Sequence, residues 1–372
     1  MENNGVIIIG GGLAGLTAAI HLSKIGIEVT LIEKNDFPKH KVCGEYISNE
    51  VLPYLGWLGL DIASLQPRSI FNFLFSTESG KSVSGKLPLG GFGISRYELD
   101  HFLYRKALDN KCRIIKDTAT GIIFSNDEFT VKLSEGEVRS KIVIGAFGKR
   151  SNMDQKLDRE FIGKKSPWLA VKGHFKGDFP SDLVGLYNFK GGYCGISNVE
   201  NNTINICYLA DYATFKKYKD IDEYQTAVLY KNPSLKAVLE KVSPIFDKPL
   251  AISQISFSDK KCIENHILMI GDTAGLIHPL CGNGMAMAIH SAKMVSEHVS
   301  QYLSGAINRE LLEQNYKAEW TRNFRSRLKT GRILSKILQH RNLSERILGL
   351  IVFFPSLLPK IIRRTHGKPL TI

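Results

Sequence analysis

The chain has 372 residues, 43% of them hydrophobic and 23% charged, with a net charge of +13. That balance belongs to folded proteins and excludes a disordered or fibrous chain, and the length allows a large core and two intimate domains. No apolar run reaches the roughly 18–20 residues of a membrane span; the longest, residues 347–358, is too short and is interrupted by Pro355.

The first residues show no basic n-region and enter a strand at once, so no signal peptide is expected. The six cysteines are scattered, with no CxxC pair and no cluster with histidine. Reduced thiols, no metal site and a cytoplasmic location are the expectation. From Lys317 onward there are thirteen Lys/Arg against two acids, Glu319 and Glu345. Such a tail is either a solvated helical cap or a contact surface. As a surface it would meet the inner face of an anionic membrane, as a peripheral protein, or an acidic carrier protein. Nucleic acid is not expected, because no nucleic-acid module is present and the cations are not interleaved with stacking aromatics.

The chain opens on Val6-Ile7-Ile8-Ile9, a buried-strand pattern, followed by Gly10, Gly12 and Gly15 in G-x-G-x-x-G spacing. Leu13, Leu16, Ala19, Ile20 and Leu22 then recur at helical intervals, Gly26 ends the helix, and a second strand closes on Glu33, followed by Lys34. Each part has a physical task. Gly10 allows the tight turn, Gly12 lets the backbone approach a pyrophosphate, and Gly15 lets helix and sheet pack closely. The helix N-terminus at Leu13 and Ala14 attracts phosphate, and Glu33 accepts ribose hydroxyls. The unit is therefore expected to bind a dinucleotide.

A nicotinamide dehydrogenase would add further βα units directly after residue 35. Here the chain leaves that pattern and returns for a helix over 96–108 and strands over 113–116 and 138–145. A last strand over 267–270 ends in Gly271 and Asp272. Asp272 suits a ribityl chain. The loop Pro279–Cys281, Gly282, Asn283 and Gly284 leads into a helix near Met285, where amides and the helix dipole would stabilise a reduced flavin. FAD is the expected cofactor.

These residues resemble the FAD-dependent superfamily of p-hydroxybenzoate hydroxylase-type enzymes, flavin-dependent halogenases and geranylgeranyl reductases. The likeness runs through residues 6–34, "KVCGEYIS" (41–48), "GISRYELD" (93–100), "IVIGAFGKRS" (142–151) and 271–292. It implies an α/β protein with an α+β insertion. A Rossmann-type FAD domain (1–67, 91–165 and 261–305) would be interrupted by a mostly antiparallel substrate sheet (68–90 and 166–260). A basic helical cap (306–372) would follow. It also implies that Arg96 touches the flavin, that Asp272 binds the ribityl or pyrophosphate region, and that Pro279, Gly282, Asn283 and Gly284 line the ring.

Three departures separate the branches. Hydroxylases carry Asp-Gly where this chain has Ala146-Phe147-Gly148, which argues against direct reduction by NADPH in the hydroxylase manner. The Trp-x-Trp-x-Ile-Pro stretch of halogenases is absent. The Tyr-x-Trp-x-Phe-Pro stretch of geranylgeranyl reductases is represented by "YCGISN", which keeps Tyr193 but has Gly195 for the tryptophan. The likeness is strongest to the reductase branch, where a Cys-Gly pair faces the substrate; Cys43 is the residue so implied as a substrate contact or proton donor.

Other residues are weighed against plainer roles. Cys281 falls beside the expected ring, and no disulfide with Cys43 is expected. Lys41 and His40 could reach a phosphate but more often are solvated. His278 is a relay candidate, and His290 reads as packed. Tyr187, Phe189 and Tyr193 alternate on a strand and could line a pocket. Residues 308–365 read as two or three helices, broken by Pro355 and Pro359.

The expected activity is double-bond reduction on a hydrophobic isoprenoid, lipid or polyketide-like substrate. NAD(P)H or a reduced ferredoxin or flavodoxin would donate electrons. The alternatives are an NAD(P)H monooxygenase acting on an aromatic or polyketide ring, and a membrane-associated flavin electron carrier without its own substrate.

Overall fold

A computed structural model describes residues 5–340, 343, 346–347, 354 and 357–371. Most of the apolar run over 347–358, with Pro355, lies outside the described residues. The first sheet has six strands in the order Ile263–Glu264, Ile267–Met269, Ile142–Gly145, Val6–Ile9, Val29–Glu33, Arg113–Lys116. All pair in parallel except the edge strand Ile263–Glu264. The central strands are buried on both faces, which is why they read as uninterrupted Val/Ile runs rather than alternating ones.

The Leu13–Lys24 helix is buried from Leu13 to Leu22. It is caught between this sheet and the helices Arg96–Asp109 and Gly284–Leu303. The contact is as tight as backbone allows. A Cβ on Gly15 would stand 1.9 Å from the Gly10 carbonyl oxygen, and Gly10 itself sits at φ +110°.

The second sheet has nine strands. Its main path runs Val242–Pro244, Trp168–Gly177, Thr203–Asp211, Gly192–Val199, Leu183–Phe189, Arg68–Ser76, Ser82–Gly93, Tyr46–Ser48, and Leu250–Ser253 also pairs with Trp168–Gly177. It therefore takes in Tyr46–Ser48, well before residue 68, and extends to Gly93. On the face toward the first sheet, the register aligns Lys172, Cys207, Gly195, Leu186, Phe75 and Val83 in one row. Polarity falls along that row from an ammonium to aromatic and aliphatic carbon. Tyr187 and Phe189 point to the opposite face, into a separate apolar core with Val171, Tyr208 and Tyr224.

Two expectations need correction. The strand expected over 138–145 is two strands. Glu137–Ser140 belongs to a small three-stranded antiparallel sheet with Gly121–Ser125 and Glu128–Lys132, while Ile142–Gly145 enters the large parallel sheet. Pro359 does not break the chain; it lies in the first turn of the Leu357–Thr365 helix, where backbone N–H groups have no intrahelical partner to lose.

The long helix Arg309–Gln339 buries Leu312, Tyr316, Trp320, Phe324 and Leu328, spaced by four along one face. The Tyr316 hydroxyl donates to the Met269 carbonyl at 2.6 Å. On the other side of this helix Leu311 and Ile333 are exposed.

Three histidines are folded into this framework uncharged. Burial pushes His21 down to about 4, His278 to about 3 and His290 to about 4, from an ordinary 6.5. Unfolding frees imidazoles that take up protons near their ordinary value. Their contribution to stability is therefore full above about pH 6.5 and is lost as pH falls toward 4 and 3. The expected slope approaches three protons, about 4 kcal/mol per pH unit. Urea midpoints measured between about pH 7 and pH 5 should fall steeply; a flat profile would contradict the neutral assignment.

Candidate functional site

A cavity of about 890 Å³ lies between the two large sheets and runs from the glycine loop to the C-terminal helices. At one end it is walled by Gly10, Gly12, Leu13, Ala14, Glu33 and Lys34. The Leu13–Lys24 helix begins there with no side-chain cap and no acid in its first turn, so its N–H groups and positive dipole end remain available to an anion. Glu33 is held in place by N–H donors from Gly11 (2.7 Å) and Asn35 (2.8 Å).

Arg96 and Lys41 overhang this loop. A Cβ built on Gly12 would meet only the Arg96 Nη2 at 3.9 Å and the Lys41 Nζ at 4.0 Å. Both cations are fixed by Asp100, which Arg96 grips with two bonds of 2.7 and 2.8 Å and Lys41 reaches at 2.9 Å. Burial alone would raise the Asp100 carboxyl, but the two cations outweigh it and hold it below the usual range. Ser95 caps the Arg96 helix by accepting from the Glu98 N–H at 3.1 Å.

The late strand delivers the middle of the site. Gly271 turns the chain at φ +57°, and a Cβ there would be 2.9 Å from the Ala14 Cβ. Asp272 lines the cavity. The Lys260 ammonium donates to the carbonyls of Asp272 (2.8 Å) and Lys149 (2.9 Å). Burial pushes that ammonium down to about 8, against the Asp272 charge, which raises it. Pro279, Gly282, Gly284 and Met285 line the next section. Gly282 is at φ +62° against the Tyr46 ring. The Gly284–Leu303 helix that follows also starts without a side-chain cap or an acid. Two open helix N-termini thus face one cavity.

Not every expected residue reaches it. Gly15 serves packing alone. Asn283 lies in the ring loop, but its buried side chain turns away. Its amide donates to Glu50 Oε2 at 3.2 Å, and its oxygen accepts from Arg327 at 3.2 Å. His278 is enclosed by Trp168, Tyr193 and Phe257 rather than set on the cavity wall. Tyr193 does line the cavity, as do Cys43, Cys207 and Cys281, and all six cysteines are free. The Cys43 thiol lies 3.5 Å from the Met285 sulfur. Burial pushes Cys207 and Cys281 up to about 12, so both stay protonated.

One cluster escaped the sequence reading. Glu45, fully buried and on the cavity wall, bonds to Lys172 and to His174 Nε2 (2.7 Å) and accepts the Arg96 N–H at 2.8 Å. Burial would raise its carboxyl; the His174 hydrogen bond and the Lys172 charge overcome that and keep it ionised. The available signal was Lys172 and His174, two polar residues on the same face of an otherwise apolar strand.

The parallel sheet, the glycine turn, the anchored Glu33 carboxylate and two open helix ends on one cavity define a dinucleotide-binding flavoprotein. The chain belongs to the FAD binding domain family, which matches residues 3–326. It is an FAD-dependent oxidoreductase. A digeranylgeranylglycerophospholipid reductase of Methanosarcina acetivorans is 26% identical over 85% of this chain and 80% of its own. A menaquinone reductase of Mycobacterium tuberculosis is 24% identical over 78% and 75%. A tryptophan 2-halogenase of Chondromyces crocatus is 23% identical over 82% of this chain and 62% of its own length. Among solved structures, a flavin-dependent brominase superposes with a TM-score of 0.81 at 18% identity, covering 98% of this chain and 93% of that one. At that identity the likeness speaks for the fold.

The residues present fit FAD. Gly12 presents an open cradle, two helix ends lack anionic caps, and Glu33 is oriented for a ribose. Gly12 and Gly15 should therefore respond differently to one added methyl. Gly12→Ala should leave the melting temperature of the apoprotein unchanged and weaken FAD binding. Gly15→Ala should destabilise the fold itself by about 1–3 kcal/mol. Calorimetry with and without FAD distinguishes the two. Lys172→Met should cost about 3–5 kcal/mol by leaving Glu45 buried without its main counter-charge, read from urea unfolding.

Proposed function

We propose that this enzyme reduces a carbon–carbon double bond of an apolar, isoprenoid-like substrate. It meets that substrate at a membrane surface or on an acidic carrier protein through its basic C-terminal region. The observation that carries the reading is the continuity of the cavity: it leads from the glycine loop into a compartment walled by Phe73, Phe75, Val83, Leu87, Val184 and Leu186. An apolar chain would gain about 0.8 kcal/mol for each CH₂ buried there. The names of the lipid and menaquinone reductases among its relatives support the same substrate class.

FAD, when bound, supplies the hydride donor. The chain's own residues bind, orient and exclude water. Gly12, Leu13 and Ala14 would hold the pyrophosphate from the helix end, with Arg96 and Lys41 beside that loop. Glu33 and Lys34 would take the ribose, and Asp272 the ribityl chain. Pro279, Gly282, Gly284 and Met285 would form the wall at the ring. Cys43, half-buried between Met285 and the Glu45 N–H (3.5 Å to each), stands where the ring loop meets the apolar compartment. It is positioned to touch the substrate and to hold a proton at its sulfur. Phe147 replaces the acid through which a hydroxylase would engage NADPH, so a separate protein donor such as a ferredoxin or flavodoxin is the proposed reductant.

The test is to reduce the holoenzyme anaerobically with dithionite and add a geranylgeranyl-bearing lipid. The oxidised-flavin absorbance should return, with a product heavier by two hydrogens. Cys43→Ser should slow that step roughly 100-fold while retaining FAD. Fast bleaching by NADPH, followed by an oxygen-dependent hydroxylated product and no anaerobic turnover, would replace this reading with the monooxygenase.

A further inference from the structure

The apolar end of the cavity carries an unusual outer surface. The Leu357–Thr365 helix forms part of its wall through Ile361, Ile362 and Thr365. Lys360, Arg363 and Arg364 are exposed, and at about 100° per residue they fall within one arc on the other side of the helix.

The strand Ser82–Gly93 packs against this helix and is bulged. Its pairing runs from Ile70 opposite Gly91 directly to Asn72 opposite Lys86. Phe71 alone therefore faces the four residues 87–90. Leu87 turns into the cavity. Pro88 and Leu89 turn outward, with Leu89 39% and Phe71 53% exposed. Lys86, at the base of the bulge, is exposed as well. Among the described residues none of these four cations has a carboxylate partner. The acid beside Phe71, Asp182, is engaged by the Asn72 amide at 2.7 Å.

Outward apolar side chains on a bulge, on a strand packed against a helix with exposed cations, match the boundary of an anionic bilayer. The acyl region accepts the carbon and the headgroup phosphates accept the charge. An acidic protein partner would account for the cations but not for the outward Phe71 and Leu89. No described helix is long and apolar enough to cross a membrane, so the contact would be at the surface.

We propose that this face docks on an anionic lipid bilayer. Phe71 and the 87–90 bulge enter the interfacial layer, and Lys86, Lys360, Arg363 and Arg364 rest on the phosphates. The substrate then reaches the cavity along the Leu357–Thr365 helix without crossing water; that last step rests on the apolar-substrate reading, whereas the docking does not.

Full-length holoprotein is sedimented with vesicles of phosphatidylcholine alone or of phosphatidylcholine mixed with phosphatidylglycerol. Binding should require the anionic lipid and weaken as salt is raised. Combining Lys360→Glu, Arg363→Glu and Arg364→Glu should lower the partition coefficient by roughly 100-fold or more, with flavin absorbance and melting unchanged. Leu89→Trp should show a blue-shifted emission on anionic vesicles, quenched by acyl-brominated lipid. Four results would overturn the proposal: no binding to either vesicle, equal binding to both, a triple variant that binds like the wild type, or capture by an acidic acyl carrier protein in place of vesicles. Turnover of detergent-dispersed isoprenoid tests the reductase reading separately, so either can fail alone.

Discussion

The buried carboxylate of Glu45 is the point at which the molecule's layers are joined. Its loop continues from the dinucleotide domain, and its oxygens take Lys172 and His174 from the second sheet and the N–H of Arg96 from the helix beside the glycine turn. Each of these polar groups is intolerable in the interior by itself, because transfer of an unpaired charge from water is far costlier than any single packing contact. Together they are tolerated, and they tie the second sheet to the helix that begins at Arg96. Cys43, two residues earlier, lies on the same anchored loop.

Around this joint the site is assembled mostly from backbone. The glycine turn, the left-handed Gly271 and Gly282, and two helix starts without acidic caps place amide dipoles where an anionic cofactor would lie. The cations that overhang the loop, Arg96 and Lys41, are held by Asp100, and Lys260 bridges the carbonyls of Asp272 and Lys149 rather than facing the cavity. A site built in this way keeps its field when individual side chains move, because the dipoles belong to the secondary structure.

How much of this was readable in the sequence depended on how local each cause was. The βαβ unit was legible because turn, helix and second strand all lie within residues 6–33. The flavin loop was legible because glycines and a proline between a buried strand and a helix shape a backbone wall, which a plain polar connection would not need. The small sheet over 121–140 was hidden because one short apolar run served two sheets. The direction of the Asn283 side chain was not legible because it is decided by Glu50 and Arg327, far away in the chain. The Glu45 cluster joins residues more than 120 positions apart, and only the pair Lys172 and His174, interrupting an apolar strand, hinted at a buried charge. Pro359 was read as a breaker when its position in the turn, not its presence, was decisive.

Glu50 makes residues 367–370 a working part of the cofactor loop. Its carboxylate accepts the amide of Asn283 and the N–H of Gly367 (2.7 Å) and pairs with Arg327, while its own carbonyl accepts the Leu370 N–H at 2.8 Å. The loop at Asn283 and residues 367–370 are thus two claimants on one anchor, and by linkage whatever orders one restrains the other. Residues 367–370 are therefore not a neutral place to alter. A change there acts on the flavin pocket from behind, as a change in the stiffness of its wall.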